Sequence, residues 1–212
     1  MIKKYYHLSG EKITEEESSQ LKEFTIKLID SLSDFPFKEE HHIINNTIDF
    51  IQYFINDNEG EEQVFNYLCS QSEKFQIKER LIEGDFIIVT NRSYILKNGN
   101  GPLISKYVYH AEDLESTHYI CIQILDDQTN LPIEERTKKY WYDTDKNGEK
   151  YEGIEFSYHE DGSLRCATDM TPNHSDEQDW EYYDAQNFQN LQNRKSADFN
   201  YYLNAELMPL KN

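Results

Sequence analysis

The chain has 212 residues and carries 40 Asp plus Glu against 21 Lys plus Arg, a formal net charge of −19 at pH 7. That length allows one large domain or two small ones with a real core, and the charge argues against a simple binder of nucleic acid or anionic membrane, whose phosphates it would repel. Mean hydropathy is low, at −0.85, but Ile, Leu, Phe and Val make up about 24% of the chain, above the roughly 20% typical of disordered sequences. Sixteen Tyr and two Trp add large surfaces that build a core while keeping a polar tip wet. A folded protein is expected.

The start, Met1-Ile2-Lys3-Lys4-Tyr5-Tyr6-His7, is not followed by an apolar signal-peptide core, and no apolar run is long enough to span a bilayer. Cys69, Cys121 and Cys166 are odd in number, widely spaced and flanked by apolar residues, which fits reduced thiols rather than a disulfide framework. Both features point to the cytoplasm.

Residues 11–76 read as helical. Thr14 with Glu17 has the capping-box spacing, and Glu15 and Glu16 suit a helix N-terminus. Leu21, Phe24, Leu28 and Leu32, with Thr25 and Ile29, then recur on one helical face until Phe35-Pro36-Phe37 stops it. A second stripe runs through Ile44, Ile48, Ile51 and Ile55, widened by Ile43, Phe50 and Phe54, to a stop at 56–60. Val64, Phe65, Leu68, Cys69 and Phe75 form a third.

From residue 77 the period changes to two. Asp85 to Thr90 and Tyr119 to Leu125 are apolar on both faces, as central strands are. Arg92 to Lys97 and Leu103 to His110 flank the turn Asn98-Gly99-Asn100-Gly101. Tyr140-Trp141-Tyr142 precedes a turn over Asp143 to Gly148. Ile154, Phe156 and Tyr158 alternate with Glu155, Ser157 and His159, and Leu164, Cys166, Thr168 and Met170 alternate after the turn Glu160-Asp161-Gly162-Ser163. Short turns between successive strands imply an antiparallel meander. Phe188, Leu191, Phe199, Tyr202, Leu203 and Leu207 permit one or two closing helices.

The expected fold is therefore α+β: an N-terminal helical layer (1–76) packed on an antiparallel β-meander sheet (77–170), with an acidic-aromatic loop and helical C-terminal segment (171–212), all in one composite domain. Net charge is −7 over residues 1–80, −8 over 81–170 and −4 over 171–212, so no basic half hides in the average.

No phosphate-binding glycine loop, nucleophile elbow or CxxC is present. The adjacent His41 and His42 would point about 100° apart on a helix and could not share an ion. His110 and His118 bracket an acidic loop, and with Glu112 or Asp113 they would make a divalent-cation site; the plainer reading is a polar hairpin tip. Asp143, Asp145 and Asn147 resemble a calcium loop, but Ile154 stands where the closing Glu belongs. No metal and no cofactor are expected. The stretch Asp176-Glu177-Gln178-Asp179-Trp180-Glu181-Tyr182-Tyr183-Asp184 is different in kind: five carboxylates interleaved with one Trp and two Tyr. Rings supply contact area at low entropy cost, and acids around them steer a basic partner. The alternative is that Trp180 and one Tyr pack inward while the acids face water.

Tyr140-Trp141-Tyr142-Asp143 to Asn147-Gly148, followed by Glu152-Gly153-Ile154-Glu155-Phe156-Ser157-Tyr158 to Asp161-Gly162-Ser163-Leu164, resembles the aromatic-glycine hairpins of MORN-like repeats found in some bacterial antitoxin and immunity families. The chain as a whole is similar in character to immunity proteins that neutralise contact-delivered toxins. That resemblance implies a small, catalytically inert, cytosolic inhibitor of a basic toxin domain, for instance a nuclease, and carries over no residue positions; the partner-binding residues expected from the acidic-aromatic composition are Asp176, Glu177, Asp179, Trp180, Glu181, Tyr182, Tyr183 and Asp184. The charge leads us to expect no direct contact with nucleic acid or membrane. A metal-dependent hydrolase centred on His110 and His118 is the alternative from another class; a secreted effector or phage-encoded nucleic-acid mimic would use the same acidic surface.

Overall fold

The computed structural model describes residues 1–29, 38–111, 118–145, 147–171 and 179–208. They form an α+β fold: a large mixed sheet, mostly antiparallel, with a few short helices. None of these helices is long and apolar enough to cross a membrane. The chain divides into two compact units, Met1–Arg80 with Thr90–Ile104, and Leu81–Val89 with the residues from Ser105 onward.

The first unit holds the strands β1 (Ile2–Tyr6), β2 (Lys12–Ile13), β3 (Glu23–Ile29), β4 (Glu39–Ile44) and β5 (Thr47–Phe54) and the helices α1 (Glu15–Ser18) and α2 (Glu61–Cys69), with most of β6 (Lys74–Glu83) and β7 (Phe86–Ile95), whose residues 81–83 and 86–89 belong to the second unit. Their hydrogen-bonded order is β2-β1-β3-β4-β5-β6-β7. The expected helical layer over residues 1–76 is thus largely sheet. The capping box of Thr14 and Glu17 forms, with Glu17 N donating to Thr14 Oγ1 at 3.2 Å and Thr14 N to Glu17 Oε2 at 2.8 Å, but it opens only one turn. The Leu21–Leu32 stripe becomes β3; Leu32 and Phe35-Pro36-Phe37 lie outside the described residues.

The second stripe becomes the β4–β5 hairpin. Ile at 43, 44, 48, 51 and 55 fits a three-four spacing only because both faces of these strands carry apolar residues, and a β-branched side chain favours the pleat over the helix. Between the strands, Asn45 and Asn46 have φ of 50° and 61°, the left-handed pair that a two-residue hairpin turn requires and that Asn tolerates. Replacing Asn46 by Val is expected to cost about 1–2 kcal/mol, whereas Gly there should be neutral or stabilising; thermal denaturation of both variants checks the pair.

The third stripe is helical as far as Cys69, where α2 ends; Phe75 lies on β6. β5 and β6 run parallel, Ile51 opposite Phe75 and Tyr53 opposite Ile77, so α2 is a crossover helix. Val64 and Leu68 of α2 pack with Ile51, Tyr53, Phe75 and Ile77 as this unit's core.

In the second unit β8 (Leu103–His110, from Ser105 on), β9 (Cys121–Leu125), β10 (Lys138–Thr144), β11 (Lys150–Tyr158), β12 (Leu164–Asp169) and β13 (Glu181–Tyr183) follow one another in the sheet in chain order. The expected hairpin of 154–158 with 164–170 is present as β11 and β12. Ile154, Phe156 and Tyr158 are fully buried against α3 (Phe188–Lys195) and the 3₁₀ turn Asn200–Leu203, through Phe188, Leu191 and Phe199. A bulge opposite Trp141 and Tyr142 isolates Gly153. A Cβ there would sit 3.2 Å from the Trp141 ring, so the missing side chain lets that ring lie against the strand. A second core joins Ile88, Val108, Ile120 and Cys121 to Tyr201 and Leu207.

Candidate functional site

On β12 the expected inward set was Leu164, Cys166, Thr168 and Met170. Leu164 and Met170 are buried as expected, but the register shifts between Ser157 and Tyr158, and beyond it Ala167 and Asp169, in place of Cys166 and Thr168, are the residues fully removed from solvent. A one-residue shift exchanges the faces of a strand, and here it carries a carboxylate inside. Asp169 accepts from Thr171 N at 3.0 Å and Thr171 Oγ1 at 2.6 Å, pairs with Arg194 Nη2, and has Lys195 Nζ at 3.6 Å. Burial alone would raise its pKa. The Thr171 hydrogen bonds and the Lys195 and Arg194 charges outweigh that and hold the carboxyl below its ordinary range.

Arg194 reaches onward from this anchor to β13. Its Nη1 pairs with Glu181, and its guanidinium carbon lies 5.5 Å from the centre of the Tyr183 ring. Tyr183 packs on the core of β11 and β12 and donates to Glu181 Oε2 at 2.5 Å. Burial and that carboxylate push its phenol up to about 12. Asp184 Oδ1 accepts from Gln186 N at 2.9 Å and Asn187 N at 3.1 Å, closing the turn into α3. Tyr182 points the other way and is 60% exposed. Asp179 is exposed and Trp180 half-buried. Asp176 and Glu177 lie outside the described residues.

The acidic-aromatic stretch therefore divides by alternation. Glu181, Tyr183 and Asp184 fasten β13 to its own unit, while Tyr182 and Asp179 face solvent. Its signal in the sequence was composition; what composition hid was the cation on α3 that engages Glu181.

The other residues singled out from sequence are dispersed. His110 packs its ring 5.0 Å from Phe86 and His118 its ring 4.8 Å from Tyr142. Glu112 and Asp113 lie outside the described residues, among which no group of three His, Cys, Asp or Glu side chains is placed to hold a metal. His41 and His42, expected on a helix, occupy successive positions of β4 and so face opposite ways. His41 Nε2 is 2.7 Å from the buried Glu39 and His42 Nε2 is 3.4 Å from Glu40. The hydrogen bond to Glu40 raises the His42 pKa. Asp145 holds the β10–β11 turn, accepting from Asn147 N and Glu149 N at 2.8 Å each. The three cysteines are unpaired, and burial pushes the Cys121 thiol up to about 11, far from a nucleophile's range.

Two buried lysines were not anticipated. Lys38 donates to Phe54 O at 2.7 Å and pairs with Glu59, which also accepts from Tyr53 Oη at 2.7 Å. Lys139 donates to Tyr201 O at 2.6 Å and stands 3.5 Å from the centre of the Tyr201 ring, its pKa pushed down to about 8 by burial. Each uses its ammonium to tie a distant stretch of backbone, Phe54 and Tyr201 respectively. The contacts give them a structural task.

Comparison with protein-family models, with curated proteins and with solved structures finds no match.

Proposed function

We propose that this chain is an acidic binding protein acting by stoichiometric association with a basic protein, most concretely a cytoplasmic immunity protein that inhibits a toxin domain such as a nuclease. The observation that carries the reading is the presentation of Tyr182, 60% exposed, on a strand pinned at Glu181 and Tyr183 and flanked by the exposed Asp179 and Asp184. An aromatic on a rigid support needs little further ordering when it docks. The surrounding negative field speeds encounter with a positive surface, and the ring contact sets the lifetime.

The test begins with recovery of the tagged chain from its native host. One basic protein at one-to-one stoichiometry is expected, and added chain should inhibit that protein's activity. Changing Asp176→Asn, Glu177→Gln and Asp179→Asn together should slow association about three- to tenfold at low salt and flatten its salt dependence. Association at an unchanged rate would detach this stretch from the encounter. A partner of net negative charge would sink the reading.

A further inference from the structure

We propose that the outer edge of β13 is a strand-addition site, taking an extended Lys- or Arg-bearing segment of the partner protein as the next strand of the sheet. The backbone register supplies the geometry. Met170 N donates to Gly153 O at 2.9 Å, just beyond the pairing of Asp169 with Ile154. In an antiparallel ladder a bond in that place marks the enclosed pair as one that does not exchange hydrogen bonds. The N–H and C=O of Asp169 therefore face β13, where Asp169 is opposite Glu181. Alternation then makes Tyr182, opposite Thr168, the residue whose own N–H and C=O turn away from β12. Among the described residues no strand lies on that side.

Exposed edges invite pairing, and proteins commonly guard them with Lys, Pro or a bulge. The opposite end of the strand order, β2, is two residues long and begins with Lys12. β13 is Glu181-Tyr182-Tyr183, also short, but its charge is acidic and it carries no Lys, Pro or bulge. Its charge still selects. Glu181, which pairs with Arg194, and the exposed Asp184 leave this edge acidic on a chain of net charge −19, so a second copy is repelled while a basic strand is drawn in. The Arg194 contacts to Asp169 and Glu181 also hold β13 in place before anything arrives. Main-chain bonds to Tyr182 would supply affinity and the carboxylates the choice of partner.

This inference rests on the acidic-binding reading, and the experiment separates the two. The probes are a short peptide of alternating Lys and Thr, the same peptide N-methylated on alternate amides in each of the two phases, and a Glu-Thr counterpart, titrated into the full chain to millimolar concentration. Binding is read by amide chemical shifts, and the edge by hydrogen exchange at Tyr182. The Lys-Thr peptide should slow exchange of the Tyr182 amide about tenfold or more, one methylated phase should abolish this, and the Glu-Thr peptide should do nothing. Tyr182→Pro removes an N–H that its own ladder does not use, so it should keep the thermal midpoint and lose the peptide. Salt-sensitive binding that leaves Tyr182 exchange unchanged and survives both methylated phases would overturn the edge site and leave the acidic reading standing. Absence of any binding by the Lys-Thr peptide would overturn both.

Discussion

Replacing Phe156 by Ala is expected to lower the unfolding free energy of the second unit by about 4 kcal/mol, measured by denaturant titration followed through aromatic fluorescence. Phe156 is fully buried on β11 and packs with three other rings from two parts of the chain. Its ring centre is 6.3 Å from Phe188 of α3, 5.7 Å from Phe199, and 4.3 Å from Tyr202, which stacks on it at 25°. Removing the ring strips contacts from all three at once. The void cannot close easily, because β11 is hydrogen-bonded on both sides, to β10 and to β12. Phe156→Leu keeps most of the volume and should cost about 1–2 kcal/mol. A loss below about 1 kcal/mol for the Ala variant would mean that α3 and the turn after it are not packed on this strand.

The same residue shows how far the sequence can be read. Ile154, Phe156 and Tyr158 sit in a segment whose other positions are Glu155, Ser157 and His159, and the alternation names the strand and its inner face correctly. Where both faces are apolar the period loses its meaning. Residues 43–55 count equally well as helix or as two strands, and only Asn45-Asn46, which fits a tight hairpin turn and interrupts any helix, separates the readings. The parallel pairing of β5 with β6 is hidden for a related reason: α2 is legible, but the spacing of Ile48, Ile51, Ile55 and Phe75 on its partner strands also reads as helix. Register is harder still. Nothing local in Leu164-Arg165-Cys166-Ala167-Thr168-Asp169 announces that the pairing slips near Tyr158, so the alternation names Leu164 correctly but puts Cys166 and Thr168 where Ala167 and Asp169 are buried. The acidic-aromatic stretch could be found from composition, yet the assignment of its members to anchor or surface depended on Arg194, ten residues beyond Asp184.

Replacing Asp169 by Ala should cost about 3 kcal/mol and loosen β13 ahead of the rest of its unit. The carboxylate is fully buried and is the common acceptor for Thr171, Arg194 and Lys195. Without it Lys195, only 13% exposed at its side chain, loses its nearer carboxylate and retains Asp143 at 3.9 Å. Arg194, more open to water, loses the contact that fixes its reach to Glu181. Asp169→Asn keeps the volume and the oxygen that accepts from Thr171 but sets an amide NH2 in place of the carboxylate oxygen that faces Arg194 and Lys195, so comparison of the two variants separates the cavity from the lost ion pairs. The sign of the pH dependence follows from the lowered pKa. A carboxyl held below its unfolded value of 3.8 contributes its full stability above that value and loses the contribution as pH falls through the folded pKa. The stability difference between the native chain and Asp169→Asn should therefore be constant from neutral pH down to about 5 and shrink steadily below it. Hydrogen exchange gives the local readout. The Tyr183 amide, on a residue that the β12 ladder pairs with Ala167, should exchange faster in both variants while amides of β11 keep their protection. Equal acceleration along β11 and β13 would show that Asp169 stabilises the whole unit rather than holding its edge.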